Sequence, residues 1–175
     1  MANFSMLENI PEYRSFAKAC IDAENSFKTS PDNCVKTSRT ALESVMNWIY
    51  NRDKNLIPES GEGGLLYRQL TGKNFQKIID QNLLRRLQWT RKICNDVIHV
   101  PPKVPTDQQA KNCLENVFDL VKWLDRYYGI NRISKSFDRD DIPTEDTLLD
   151  SALKYGAAAL GGAAVLGLAI LANKK

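Results

Sequence analysis

Apolar residues recur at three- and four-residue steps along most of this chain, and no stretch shows the two-residue alternation of a half-buried strand. The first such run carries Tyr13, Phe16, Ala17, Cys20 and Phe27, and predicts a helix from near Pro11, a good first-turn residue. "TSPDN" breaks it, with Ser30 as a helix N-cap and Pro31 in the first position of a second helix. There Val35, Ser38, Leu42, Val45, Met46 and Ile49 share one face. "PESGEGG" (58–64) reads as a surface loop, and a short amphipathic segment, "LLYRQL", follows it before Gly72 interrupts "TGKNFQKIID". A third long helix is predicted from about Asn82 to His99, where "HVPPKVP" stops it. A fourth starts near Thr106 and carries Ala110, Cys113, Leu114, Val117, Val121 and Leu124 on one side.

One stripe per helix is enough to enclose a common core. The pattern therefore predicts an all-α, four- to five-helix bundle over residues 1–128. Residues 129–147 are polar, highly charged and weakly periodic, and read as a linker or loosely packed arm.

From 148 to 175 the composition changes abruptly. "GAAALGGAAVLGLAILA" (156–172) has no charged or hydrogen-bonding side chain. As a helix it would be roughly 26 Å long, just short of a hydrocarbon core of about 30 Å. Tyr155 at one end and Lys174 and Lys175 at the other suit the two interfaces. Ala158/Gly162 and Ala163/Gly167 are small-xxx-small pairs that let helix backbones approach closely in lipid. In water its glycines would make a poor helix, so a single C-terminal span is preferred to a buried helix or low-complexity tail. Such an anchor implies an inner or plasma membrane with the bundle in the cytoplasm.

Composition adds limits. Apolar residues are 43% and charged residues 26% of the chain, an ordinary folded balance. The formal charge of +3 does not by itself demand a nucleic-acid partner. Four scattered cysteines and a single histidine argue against a structural zinc site, and no cofactor is implied. The amino-terminal residues lack the basic start and apolar run of a secretory signal, which fits a reducing, cytosol-facing domain.

The candidate chemistry lies on the third helix. On a wheel of about 100° per residue, Arg91 falls at the edge of the apolar arc, and Asn95 and His99 continue along its border. A guanidinium beside the core needs a carboxylate or phosphate. Arg39 and Glu43 on the second helix form a supporting polar pair, from which Glu43 is expected to reach Arg91 or His99. A buried ion pair and a helix C-terminal histidine would explain the same residues without catalysis. "RRLQWTRK" places Arg85, Arg86 and Lys92 around Trp89, either as a nucleic-acid contact or, preferred here, as the solvated side of an amphipathic helix.

"CVKTSRTALESVMNWIY" (34–50) followed by "LLRRLQWTRKICNDVIHV" (83–100) resembles a HEPN-type helical domain. The match is to an uncharacterised subgroup that also occurs near the start of some restriction-enzyme subunits. Arg39 and Glu43 fit its "aR-x-x-lE" helix, and Arg91, Asn95 and His99 its "iR-x-x-G-N-x-x-x-H" helix, with Cys94 where glycine is common. The resemblance covers roughly residues 10 to 128 and implies a helical bundle, often dimeric. In active members, arginine and histidine of two subunits form a metal-independent RNase site, in which a ribose 2′-OH attacks the adjacent phosphate. Histidine would transfer the proton and arginine stabilise the phosphorane. Seven residues separate Arg91 from His99, more than in active members but usual in this subgroup.

Two readings follow. One is a membrane-anchored interaction module that self-associates as a homodimer or homo-oligomer and is linked to nucleic-acid or defence processes. The other is a metal-independent endoribonuclease using Arg91 and His99, with RNA or a nucleotide as partner. A membrane-disrupting tail triggered by the bundle is a third, resting on the glycine spacing alone.

Overall fold

Three of the four long helices begin where a side chain accepts an N–H group that the first turn leaves unpaired. The computed structural model describes residues 2–98 and 103–144. Six α-helices occur among them: α1 (Arg14–Ser26), α2 (Pro31–Arg52), α3 (Leu65–Leu70), α4 (Lys73–Ile78), α5 (Gln81–Ile98) and α6 (Asp107–Tyr127). No strand is present among the described residues. Ser30 caps α2 by accepting from the Asn33 N–H at 3.1 Å. Asp80 accepts from the Leu83 N–H at 2.8 Å at the start of α5. Thr106 and Gln109 form a reciprocal capping box on α6.

The all-helical class agrees with the periodicity. Details differ. The first run opens as two 3-10 turns, Ser5–Asn9 and Pro11–Tyr13, before α1 begins at Arg14. The segment between the second and third long helices divides into α3 and α4 around Gly72, a position with no room for a side chain. A Cβ there would lie 2.6 Å from the Tyr50 hydroxyl and 3.0 Å from the Ile57 carbonyl oxygen.

Packing follows the apolar stripes. α1 lies along α2, α2 against α5 and α6, and α5 against α6, while α3 rests on α2 and α5. Phe16, Leu42, Met46, Leu87, Leu114 and Leu124 have no exposed surface. Cys20, Cys34, Cys94 and Cys113 are free and buried, behaving as small apolar side chains.

Residues 129–142 are not a loose linker. They belong to the same compact unit as the helices, which extends through Ile142, so the expected boundary at residue 128 is displaced. Ile133 and Ile142 are buried and Phe137 packs on Phe118 with ring centroids 5.5 Å apart. The segment's charges hid these apolar anchors, yet several of those charges are paired, as in Lys135–Asp141 at 2.6 Å and Arg139–Glu115. The second unit spans residues 143–175, of which only 143 and 144 are described. Among the described residues no helix is long and apolar enough to cross a membrane, and the predicted span 156–172 lies outside them.

Two buried carboxyl groups fasten this arm and the amino-terminal residues to the bundle. Asp125, 1% exposed, sits in the last turn of α6, where the helix dipole disfavours negative charge. It is compensated by donors. Oδ1 accepts from the Tyr13 hydroxyl and from the Arg132 N–H at 3.1 Å, and Oδ2 from the Ile133 N–H at 2.9 Å. Gly129, at φ +69°, supplies the left-handed turn that brings those amides back. Glu24, also 1% exposed, accepts at Oε1 from the Asn3 N–H (2.7 Å) and the Asn3 amide (2.8 Å), and at Oε2 from the Phe4 N–H (3.1 Å). The same Asn3 side chain exchanges two hydrogen bonds with the Asp138 backbone, at 2.7 and 2.8 Å.

Asp125→Ala leaves three donors, two of them buried, without that acceptor and is expected to destabilise the fold by about 3 kcal/mol or more, against about 1 kcal/mol for Tyr13→Phe. Urea denaturation of both variants, read by circular dichroism, checks the order. Burial also pushes the Cys34 thiol and the Tyr50 and Tyr128 phenols up to about 12. These groups stay protonated in the fold but ionise in the unfolded chain from about pH 8.5 for the thiol and about pH 10 for the phenols. Stability is therefore present below that range and falls as pH rises towards about 12. The urea midpoint at about pH 11 should lie below that at about pH 8, and equal midpoints would contradict these shifts.

Candidate functional site

The two flanks of α5 carry different chemistry. At about 100° per residue, Arg91 and Asn95 lie on one side of its apolar arc, and Arg86 and Trp89 on the other.

The first flank faces α2 and α3. Arg39 on α2 donates from Nε to Glu43 Oε1 at 2.9 Å and from Nη1 to Asn95 Oδ1 on α5. The i,i+4 geometry of α2 sets the first bond, and the packing of α2 on α5 sets the second. Glu43 is thus engaged by Arg39, and the expected Glu43–Arg91 pair does not form. Arg91 turns instead to Tyr67 of α3, its guanidinium carbon 5.0 Å from the ring centroid. It has no carboxyl partner among the described residues. The position of α3 was not legible in the sequence, so Tyr67 was missed; its only signal was an aromatic residue at an exposed position of "LLYRQL". Asn95 is half-buried and engaged, while His99 lies outside the described residues. The structure therefore joins Arg39, Glu43 and Asn95, and sets Arg91 beside them on a different partner.

The second flank lines a groove of about 430 Å³ between α5 and α6, closed on one side by the arm. Arg85, Arg86 and Trp89 of α5 face Asn112, Glu115 and Asn116 of α6, and Arg139 completes the lining. Arg86, expected on a solvated face, is half-buried and held. Its Nη1 donates to Asp119 Oδ2 at 2.7 Å and to Asn116 Oδ1 at 3.1 Å. Asn116 in turn donates to the Thr90 hydroxyl at 3.0 Å. Arg139 Nη2 donates to Asn112 Oδ1 at 2.8 Å and to Glu115. Arg85 is exposed, with no ion-pair partner among the described residues, and Lys92 is exposed outside the lining. Arg139 was missed because it sits in the arm; Asn112 and Glu115 carried no signal beyond their place on the polar side of α6.

At the meeting of α2, α5 and α6, Cys94 donates to the Val35 carbonyl at 3.2 Å. Hydrogen bonding to Cys94, and then burial, hold the Cys113 thiol far above its ordinary range, which disfavours a nucleophilic role. Among the described residues no group of three His, Cys, Asp or Glu side chains is placed to hold a metal ion.

The class these features define is an all-α bundle with a polar α2–α5 seam and a separate arginine-lined groove. Comparison of the chain with known family models, with characterised proteins and with solved structures finds no match.

Arg39→Ala removes the link across the seam and is expected to destabilise by about 1–2 kcal/mol. Tyr67→Ala should cost about 0.5–1 kcal/mol from its cation–π contact, the ring being partly exposed. A larger loss for Tyr67→Ala than for Arg39→Ala in urea denaturation would contradict this ranking.

Proposed function

We propose that this chain is a HEPN-like interaction module, self-associating and held at a membrane by residues 156–172 with its bundle in the cytoplasm, acting in a nucleic-acid or defence process. The closed Arg39–Glu43–Asn95 cluster carries the reading. A proton-transfer site needs polar groups left available to substrate. Here Asn95 Oδ1 accepts a hydrogen bond from Arg39 and Glu43 holds the same guanidinium, so the seam fastens α2 to α5. The resemblance supports the same view, since its two motifs fall on α2 and α5, which pack on one another.

One observation favours a second reading. Arg91 keeps its guanidinium clear of any carboxyl group among the described residues, poised over Tyr67. With His99 it would serve a metal-independent endoribonuclease, stabilising the phosphorane formed when a 2′-OH attacks the adjacent phosphate.

Incubating the full-length chain with mixed RNA in the presence of a chelator separates the two. The interaction reading expects no cleavage by the native chain. Cleavage that disappears in both Arg91→Ala and His99→Ala would replace it with the nuclease. Membrane fractionation should place the full-length chain in the pellet and a chain ending at Tyr155 in the supernatant; the same distribution for both would remove the anchor. Sedimentation of the shorter chain should show a species heavier than one copy, and a monomer at all concentrations would remove self-association.

A further inference from the structure

The groove between α5 and α6 lies on the flank of α5 opposite Arg91 and Asn95 and has no part in the function proposed above. Its polar wall is a single strip of α6: Glu115, Asn116 and Asp119 lie three, four and seven residues after Asn112, all on one side of the helix. Two guanidiniums from different elements are anchored on that strip, Arg86 from α5 and Arg139 from the arm. Each is anchored through one terminal nitrogen, Nη1 of Arg86 and Nη2 of Arg139. Their remaining N–H groups have no hydrogen-bond acceptor among the described residues. Arg85 adds a third guanidinium to the same lining without a carboxyl partner there. Three guanidiniums against Glu115 and Asp119 leave a positive excess, in a space of about 430 Å³ that suits a small organic ligand. Trp89, half-buried in the same wall, supplies a flat indole face.

We propose that this groove binds a small phosphate monoester carrying a flat ring. Guanidinium forks match the oxygens of phosphate, and three of them, two from α5 and one from the arm, suit an anion with three terminal oxygens better than a carboxylate or a diester with two. Arg86 and Arg139 are already held in place by α6, so little side-chain freedom is lost on binding. The indole takes the ring by stacking. The lining holds no hydroxyl, thiol or imidazole, so the site binds without reacting.

The test is calorimetric titration of the full-length chain with 1-naphthyl phosphate, inorganic phosphate, 1-naphthol and an oligoribonucleotide lacking terminal phosphates. The naphthyl ester should bind at least about tenfold more tightly than inorganic phosphate, as expected for a stacked ring, and 1-naphthol should give no saturable heat. Arg85→Ala, which removes a side chain with no ion-pair partner among the described residues, should weaken the ester by about tenfold with an unchanged circular dichroism spectrum. Trp89→Leu should abolish the advantage of the ester over inorganic phosphate. Arg91→Ala should change nothing, which separates this groove from the α2–α5 seam. Absence of saturable binding, equal affinity of the native chain and Arg85→Ala, or tighter binding of the diester-only oligoribonucleotide would overturn the proposal.

Discussion

A carboxyl group buried in a protein interior is tolerable only when its oxygens are supplied with donors, and this fold is organised around two such groups. Glu24 gathers the backbone and side chain of Asn3 and the amide of Phe4, while Asp125 gathers a tyrosine hydroxyl and two amides of the returning arm. Apart from Tyr13, their donors come from segments that no helix periodicity would bring to the core. The arm lies where it does because Asp125 needs its amides, and the amino-terminal turns lie where they do because Glu24 needs theirs. With both ends fixed, Arg139 can reach α6 and the groove acquires its third wall.

The helices themselves were readable. Val35, Leu42, Val45, Met46 and Ile49 recur at helical steps, and Ser30 and Thr106 announce starts; each is a local rule acting within one or two turns. What escaped reading depends on contacts between residues far apart in the chain. The stretch from 129 to 142 looked like a solvated linker because its charges outnumber its apolar residues. Ile133, Phe137 and Ile142 are enough to seat it once Asp125 and Asn3 hold its backbone. Nothing local to Asp125 marks it as an inward-facing acceptor.

The candidate residues divide in the same way. Arg39 and Glu43 were correctly paired in sequence because four residues on a helix make neighbours. Their relation to Asn95 and the exclusion of Arg91 follow from how α2 and α5 approach, which spacing along one helix cannot supply. Arg85 and Arg86, adjacent in the chain and identical in type, have different fates: about 100° of rotation leaves one in solvent and turns the other onto α6. A run of basic residues therefore conceals a preorganised guanidinium beside an unconstrained one.

The stitching of the arm also has a mechanical side. A pull transmitted along the chain from beyond Ile142 meets the bonds from Arg139 to α6 and the Asp138–Asn3 bridge, then the Lys122–Lys135 bond and the amides clasped by Asp125, and only afterwards the last turn of α6. Because Asn3 is itself moored by Glu24, part of that tension is shared with the amino-terminal turns, and the last turn of α6 is shielded until the Asp125 clasp has opened.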